Sequence, residues 1–357
     1  MRQLTSRIRH HLTNPDSQHR KIAQGFLWVS MFVFLGKIAG AAKEMTIAWR
    51  YGVSETVDAY VFVFSLVNWP VAIWFFILTV VLVPLAARLR NDSPGELPRF
   101  RAELLGLAII IGLILGLLAW VALPFLMRAG WLGLSGTALV EAQRMSGGLA
   151  LLIPLGIIIS LFSAWLLSAG HHRNTLFEAI PAFTLMVFLL LPAGWVTNPL
   201  IWGSVTGFVL HAITLAIPLR QRGMVTAPVF TQHSPAWQIF WGGIGVMAVG
   251  QFLASITTLV DQVFAAGLGI GTISTISYAN RTLGLILGLG GLAISRATLP
   301  IFSEAHVQNG VDTNNLAIFW VRLIFIFGLL VLLIAWFAAP LVIEVLFERG
   351  AFSAKNT

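Results

Sequence analysis

The sequence predicts an all-α fold, a polytopic helical bundle embedded in a membrane. Composition points there first: hydrophobic residues make up 57% of the 357 and charged residues only 10%, with a mean hydropathy of +0.86. A soluble domain of this size could not solvate such a surface. Apolar runs of about 20 residues, the length that crosses a hydrocarbon core, then recur along the chain. Finally, the basic residues sort by side once those runs are taken as spans.

The first 22 residues are polar and basic, with Arg2, Arg7, Arg9, Arg20 and Lys21, and lack the apolar core and cleavage site of a secretory signal. Leu4, Ile8 and Leu12 recur every four residues, so this cytoplasmic tail reads either as a basic amphipathic helix on an anionic surface or as a solvated segment. Nine apolar spans follow, near 24–49, 57–89, 103–127, 145–169, 175–194, 199–219, 238–267, 272–301 and 316–347. Pro70 and Pro84 in the second and Pro154 in the fourth predict bends. Polar connectors such as Asn91 to Gly95 and His171 to Asn174 mark turns.

With the N-terminus in the cytoplasm, fourteen of the 22 Lys and Arg fall inside and five outside. The five are Arg50, Arg128, Arg144, Arg349 and Lys355. The positive-inside rule selects that orientation. Lys37, Lys43 and Arg281 are left within spans, together with the acids Glu44 and Asp261. Charges at membrane depth normally face a partner or a water-filled cavity. Lys37, Gly40 and Glu44 are spaced to share one face of the first helix, and Gly36-x-x-x-Gly40 is a small-residue pattern for helix packing. Asp58 stands where a carboxylate would cap its own second helix.

Spans one and two echo spans seven and eight. Glu44, Gly52 and Pro84 correspond in spacing to Asp261, Gly269 and Pro300. Two halves related by an axis along the membrane normal follow, with a binding site between them. The domain reading is a tail at 1–22, an N-lobe of six helices at 23–222, an interlobe linker at 223–237 containing Pro228 and Pro235, and a partial C-lobe at 238–357.

The stretch from Leu35 to Glu44, followed by Tyr51-Gly52 and Asp58-Ala59-Tyr60, resembles the opening of the MurJ (MviN) lipid II flippases of the multidrug/oligosaccharidyl-lipid/polysaccharide (MOP) exporter superfamily. Tyr278-Ala279-Asn280-Arg281, Leu299-Pro300 and Arg349 to Ser353 are similar to later parts of the same family. The resemblance implies a two-lobe MOP/MATE-like bundle with a cationic cavity that receives the pyrophosphate of a polyprenyl-linked saccharide and opens alternately to either side. Its members carry more helices than nine, which implies that the C-terminal part of the second lobe is missing here. Lys37 and Lys43 stand where the family has two arginines, Glu44 where it has an aspartate, and Arg281 where it has an arginine. Lysine keeps the charge but not the bidentate fork. Where the family has an arginine pair in its second helix, this chain has Trp69-Pro70-Val71-Ala72, a departure that bears on the substrate.

The resulting expectation is a transporter rather than an enzyme, with no catalytic residue, metal or cofactor. Lys37, Lys43 and Arg281 are its cavity cations, Glu44 and Asp261 its cavity acids and candidates for a coupling ion. Gly36, Gly40, Pro70, Pro84, Gly284 and Gly288 are its packing and hinge positions. Plainer readings stand beside these: Lys37 as the buried partner of an acid, Lys43 and Glu44 snorkelling to water, Asp261 merely neutralising Arg281. His211 and Glu178 read as an interior hydrogen bonder and an interfacial charge. Partners are a polyprenyl-linked saccharide and membrane lipids, in a monomer that binds no nucleic acid. The alternatives are a flippase for exopolysaccharide or O-antigen precursors and a cation-coupled multidrug exporter of the same superfamily. Absence of cysteine removes disulfides and thiolate chemistry, and no loop gathers the carboxylates or histidines of a membrane-bound transferase. The orientation is testable: cysteines introduced at Arg90 and Arg222 are expected to label from the cytoplasmic side and one at Val196 from the outside. Reversed labelling at any two sites would overturn it.

Overall fold

A chain that crosses lipid must satisfy its backbone polar groups internally, and this one does so with helices. The computed structural model describes residues 18–169, 174–192, 194–284, 313–354 and 356. In chain order its helices are α1 (Gln18–Tyr51), α2 (Glu55–Asp92), α3 (Glu96–Arg128), α4 (Gly136–Ala150), α5 (Leu152–Ser168), α6 (Asn174–Phe177), α7 (Ile180–Leu190), α8 (Pro199–Gln221), α9 (Ala236–Ala266), α10 (272–284) and α11 (Thr313–Phe347). Among the described residues five helices are long and apolar enough to cross a membrane, or six when α4 and α5, bent by 42° at Leu151, count as one span. The expected span at 175–194 is a short helix of 11 residues, α7, preceded by a break. The eighth span is described only as far as Gly284, so Gly288 and Pro300 lie outside the described residues.

Proline shapes α2 in two ways. Pro70 sits inside an unbroken α-helical stretch, whereas Pro84 follows a π-helical turn at Leu78–Leu82. The missing proline N–H leaves a carbonyl one turn back without its donor, and the wider turn accommodates that defect. At the other break, Pro154 of α5 lies in a groove made by Gly112 and Gly116 of α3. A Cβ at either glycine would come within 3.0 Å of the proline. That pair is a small-residue contact of the kind expected at Gly36 and Gly40. The expected pair behaves differently, because a Cβ added at Gly36 or Gly40 would meet nothing within 4 Å.

Packing centres on α2, α3, α5 and α8, whose buried residues Phe62, Phe100, Leu104, Ile153, Trp165 and Leu215 form one apolar core. Residues 225–233 have no regular structure, yet they are fastened to α3. Glu103 is 1% exposed and its carboxylate accepts hydrogen bonds from the Trp237 indole (2.6 Å), the Ser234 and His233 amides (3.1 and 3.2 Å), the Arg99 guanidinium (3.3 Å) and the Thr231 hydroxyl (3.4 Å). The Val229 amide also donates to the Ala102 carbonyl at 3.0 Å. Gly106 allows this approach, since a Cβ there would collide with the Val229 carbonyl. Phe100, Trp237 and Phe240 close the joint edge to face at 5.1 to 5.8 Å. A buried carboxylate is tolerable only when its oxygens are filled in this way. Replacing Glu103 by Ala is expected to lower stability by about 3 kcal/mol. Thr231→Val, which removes only a long contact, should cost under about 1 kcal/mol. Denaturation in detergent followed by tryptophan fluorescence measures both.

Candidate functional site

Tyr51, the last residue of α1, leads into Gly52, which has φ +60° and lies against the Ala351 carbonyl. Gly350, with φ +63°, meets the Trp49 carbonyl and indole in return. No larger residue fits either place without displacing backbone. The Ala351 amide donates to the Trp49 carbonyl at 2.8 Å, and the Tyr278 hydroxyl donates to the Gly52 carbonyl at 3.1 Å. Tyr278 packs with Phe347 and Phe352 at 5.1 and 5.9 Å. Tyr51-Gly52, Tyr278 and the Arg349 to Phe352 segment, each part of a stretch that carries the family resemblance, thus meet at one end of the bundle, the Gly52 end.

Asp58 completes that end. It is 3% exposed, and its two oxygens accept the Gly271 amide at 2.5 Å and the Ser274 amide at 2.7 Å. Asp58 therefore caps α10 across the bundle rather than its own helix, because its carboxylate points away from the free amides of α2 and toward those of α10. Ser274 adds a hydroxyl bond to the Gly271 carbonyl at 3.0 Å. Arg281 follows Ser274 by two helical turns on the same face, about 10 Å further along.

Below this cap lies a cavity of about 430 Å³ lined by Gly36, Lys37, Gly40, Ala41, Lys43 and Glu44 of α1, by Asn280, Arg281 and Gly284 of α10, and by Glu178 from the break between α6 and α7. Glu44 is 3% exposed and bridges two cations, Lys43 at 2.9 Å and Arg281 at 3.3 Å. Lys43 also stands 5.9 Å from the Phe64 ring centre, and Tyr60, one turn back on α2, is held by the Ser204 hydroxyl at 2.9 Å. Lys37 and Glu178 form no ion pair among the described residues. Gly36, Gly40 and Gly284 shape the cavity by what they lack, since a Cβ on any of them would point into open space. They make room here instead of seating a neighbouring helix.

The structure corrects one expectation and adds to two others. Asp261 is exposed on α9 and does not line the cavity, so Glu44, not Asp261, is the acid paired with Arg281. The helical phase of α9 turns Gln262, its neighbour, inward instead. Glu178, read as an interfacial charge, is exposed and also forms part of the cavity wall. His211 is buried as expected, but its Nε2 has no hydrogen-bond partner among the described residues. Asn280 and Glu178 were missed as wall residues. Asn280 stood in view beside Arg281, while Glu178 is marked only by its place just before Pro181, where a helix must restart.

Comparison with known proteins settles the family. The family model described as "Lipid II flippase MurJ" matches residues 47–357. This chain belongs to the MurJ family of lipid II flippases. It is accordingly a member of a transporter family, not an enzyme. A probable lipid II flippase MurJ of Buchnera aphidicola is 25% identical over 351 residues, covering 93% of this chain and 66% of the relative. The lipid II flippase MurJ of Burkholderia cenocepacia is 24% identical over 351 residues, covering 93% and 67%. The chain thus spans about two thirds of the length of these curated relatives. Among solved structures, "Lipid II flippase MurJ, inward closed conformation" matches with a TM-score of 0.75 at 20% identity, over 92% of this chain and 69% of that one. An inward-facing MATE-family multidrug resistance transporter of the MOP superfamily matches with a TM-score of 0.70 at 16% identity, over 90% and 74%. These likenesses establish a multi-pass membrane protein with the MOP-type helical fold.

The cap of α10 is open to test. A cysteine at Ile273, which is 2% exposed, should resist a small thiol reagent in the parent protein. Adding Asp58→Ala is expected to raise its labelling rate at least about tenfold, because the first turn of α10 loses both acceptors. Unchanged protection would mean that the cap does not hold the Gly52 end together.

Proposed function

We propose that this MurJ-family chain is a flippase that carries a polyprenyl-pyrophosphate-linked saccharide, of the lipid II type, across the cytoplasmic membrane by alternating access. The observation that supports it most is the shared cavity of Lys37, Lys43 and Arg281, reached from two helices far apart in sequence. A pyrophosphate cannot cross a low-dielectric core uncompensated. Fixed cations facing a cavity large enough to hold water lower that barrier while the polyprenyl tail stays in lipid. Lys37, unpaired among the described residues, receives the phosphate first. Lys43 and Arg281 are then drawn from Glu44 to the substrate, which exchanges an internal ion pair for an external one.

Alternating access in this reading moves an N-lobe (23–222) against a C-lobe (238–357) joined by the segment 223–237, with the N-terminus in the cytoplasm. Glu44 is the acid best placed for a coupling ion, and the working unit is a monomer. The cations disfavour a cation-coupled drug exporter, because a cationic drug would meet Lys37 and Arg281 at the walls. Loss of the family's second-helix arginine pair leaves the saccharide as the element to be identified, and an exopolysaccharide or O-antigen precursor remains the second reading.

In proteoliposomes loaded with a polyprenyl-pyrophosphate saccharide, Arg281→Ala is expected to reduce transport at least about 100-fold while expression and membrane insertion are unchanged. Lys37→Arg should retain more activity than Lys37→Ala, since it preserves the charge and adds a fork. If the triple alanine variant at Lys37, Lys43 and Arg281 moves its lipid at the parental rate, the cations are structural and the reading fails.

A further inference from the structure

Glu178 is a carboxylate in the wall of a cavity otherwise dominated by cations, and nothing in the transport of a simple anion requires it. At the end of α1, the Arg50 guanidinium donates to the carbonyls of Leu189 and Leu191, the latter at 3.1 Å. This fixes the level at which α1 and α7 run side by side. Counting back about twelve residues along each helix, some 18 Å, brings Glu178 level with Lys37 and Ile38. The cavity therefore has two ends of different character. Near the Gly52 end, Glu44, Lys43 and Arg281 form a closed set of ion pairs. At the other end Lys37 and Glu178 face the same space, each without an ion pair among the described residues.

The backbone at Glu178 is unusual in its own right. Glu178 and Ala179 form a turn between two helical pieces, held by a 3.3 Å bond from the Ala179 amide to the Leu176 carbonyl. Pro181 has no amide hydrogen, so the Phe177 carbonyl loses the donor that a continuous helix would supply four residues on. Interrupted helices at membrane depth are tolerated where they line a cavity, and their freed carbonyls are oxygen ligands for positive charge. The Glu178 carboxylate, at this interruption, is a negative pole in the same cavity as Lys37.

We infer that Glu178 forms a subsite for a positively charged group, so that the cavity takes a bipolar ligand, its anion on Lys37 and its cation on Glu178. This rests on the flippase reading in one respect, that the anion is a pyrophosphate. The cation is then either an ammonium group on the saccharide headgroup or a monovalent inorganic cation that travels with it. Glu178 is a specificity residue in both cases: it selects for positive charge close to the pyrophosphate and repels a headgroup that is anionic throughout.

The test uses a matched pair of polyprenyl-pyrophosphate saccharides, one with a primary amine on the headgroup and one with that amine acetylated, binding to the purified protein in sodium and in N-methylglucamine buffers. If the source is the headgroup, the parent protein should prefer the amine form about tenfold, and Glu178→Gln should bind both forms alike. If it is an inorganic cation, sodium should tighten binding and raise the melting temperature, and Glu178→Gln should abolish both effects. Glu178→Asp is the folding control and should retain part of either effect. The inference is overturned if the parent shows neither preference, or if Glu178→Gln keeps the preference the parent has. Should neither lipid bind the parent, the flippase reading fails, and the sodium dependence of melting, compared between the parent and Glu178→Gln, alone decides the cation subsite.

Discussion

The Asp58 carboxylate, which accepts hydrogen bonds from two amides at the start of α10, is the constraint on which the arrangement of the cavity depends. Helices in lipid gain little from hydrophobic contact with one another, since the solvent is equally apolar. Polar bonds between them therefore carry unusual weight in setting their relative heights. By holding Gly271 and Ser274, Asp58 fixes where α10 begins, and the helical repeat then delivers Arg281 to Glu44. Slipping α10 by one residue would rotate Arg281 about 100° away. The ion pairs in the cavity are consequences of a cap made two turns above them.

Much of the fold was legible because membrane solvation leaves strong marks in sequence: long apolar runs, basic flanks and charges that stand out within them. The same logic found Lys37, Lys43, Glu44 and Arg281, all of which line one cavity. Residues whose role depends on a distant partner were not legible in that way. Asp58 looks like a local cap, since proximity in sequence cannot reveal that its oxygens turn toward residues more than 200 positions away. Glu103 sits at the edge of an apolar run, and nothing local says that Thr231 to Trp237 wrap onto it.

Small-residue patterns show the limit most clearly. Gly36-x-x-x-Gly40 and Gly112-x-x-x-Gly116 are the same motif, yet the first borders open space and the second seats Pro154. A missing side chain states only that room exists; the neighbouring helix decides whether water or protein fills it. Asp261 fails for a related reason. Its spacing from Gly269 matches that of Glu44 from Gly52, but matching along the chain does not fix rotation about the helix axis, and α9 presents Gln262 inward instead.

The segment before α9 is bolted to α3 through Glu103 and Ala102, which is not the attachment of a slack tether. In the alternating access proposed above it would serve as a fulcrum, located where Trp237 enters the aromatic joint. With 31 residues, α9 is then a rigid lever arm, about 46 Å long. A tilt of about 10° at Trp237 sweeps its far end through about 8 Å. That far end leads directly into Gly269 and Gly271, so the largest travel arrives at the two amides that Asp58 grips.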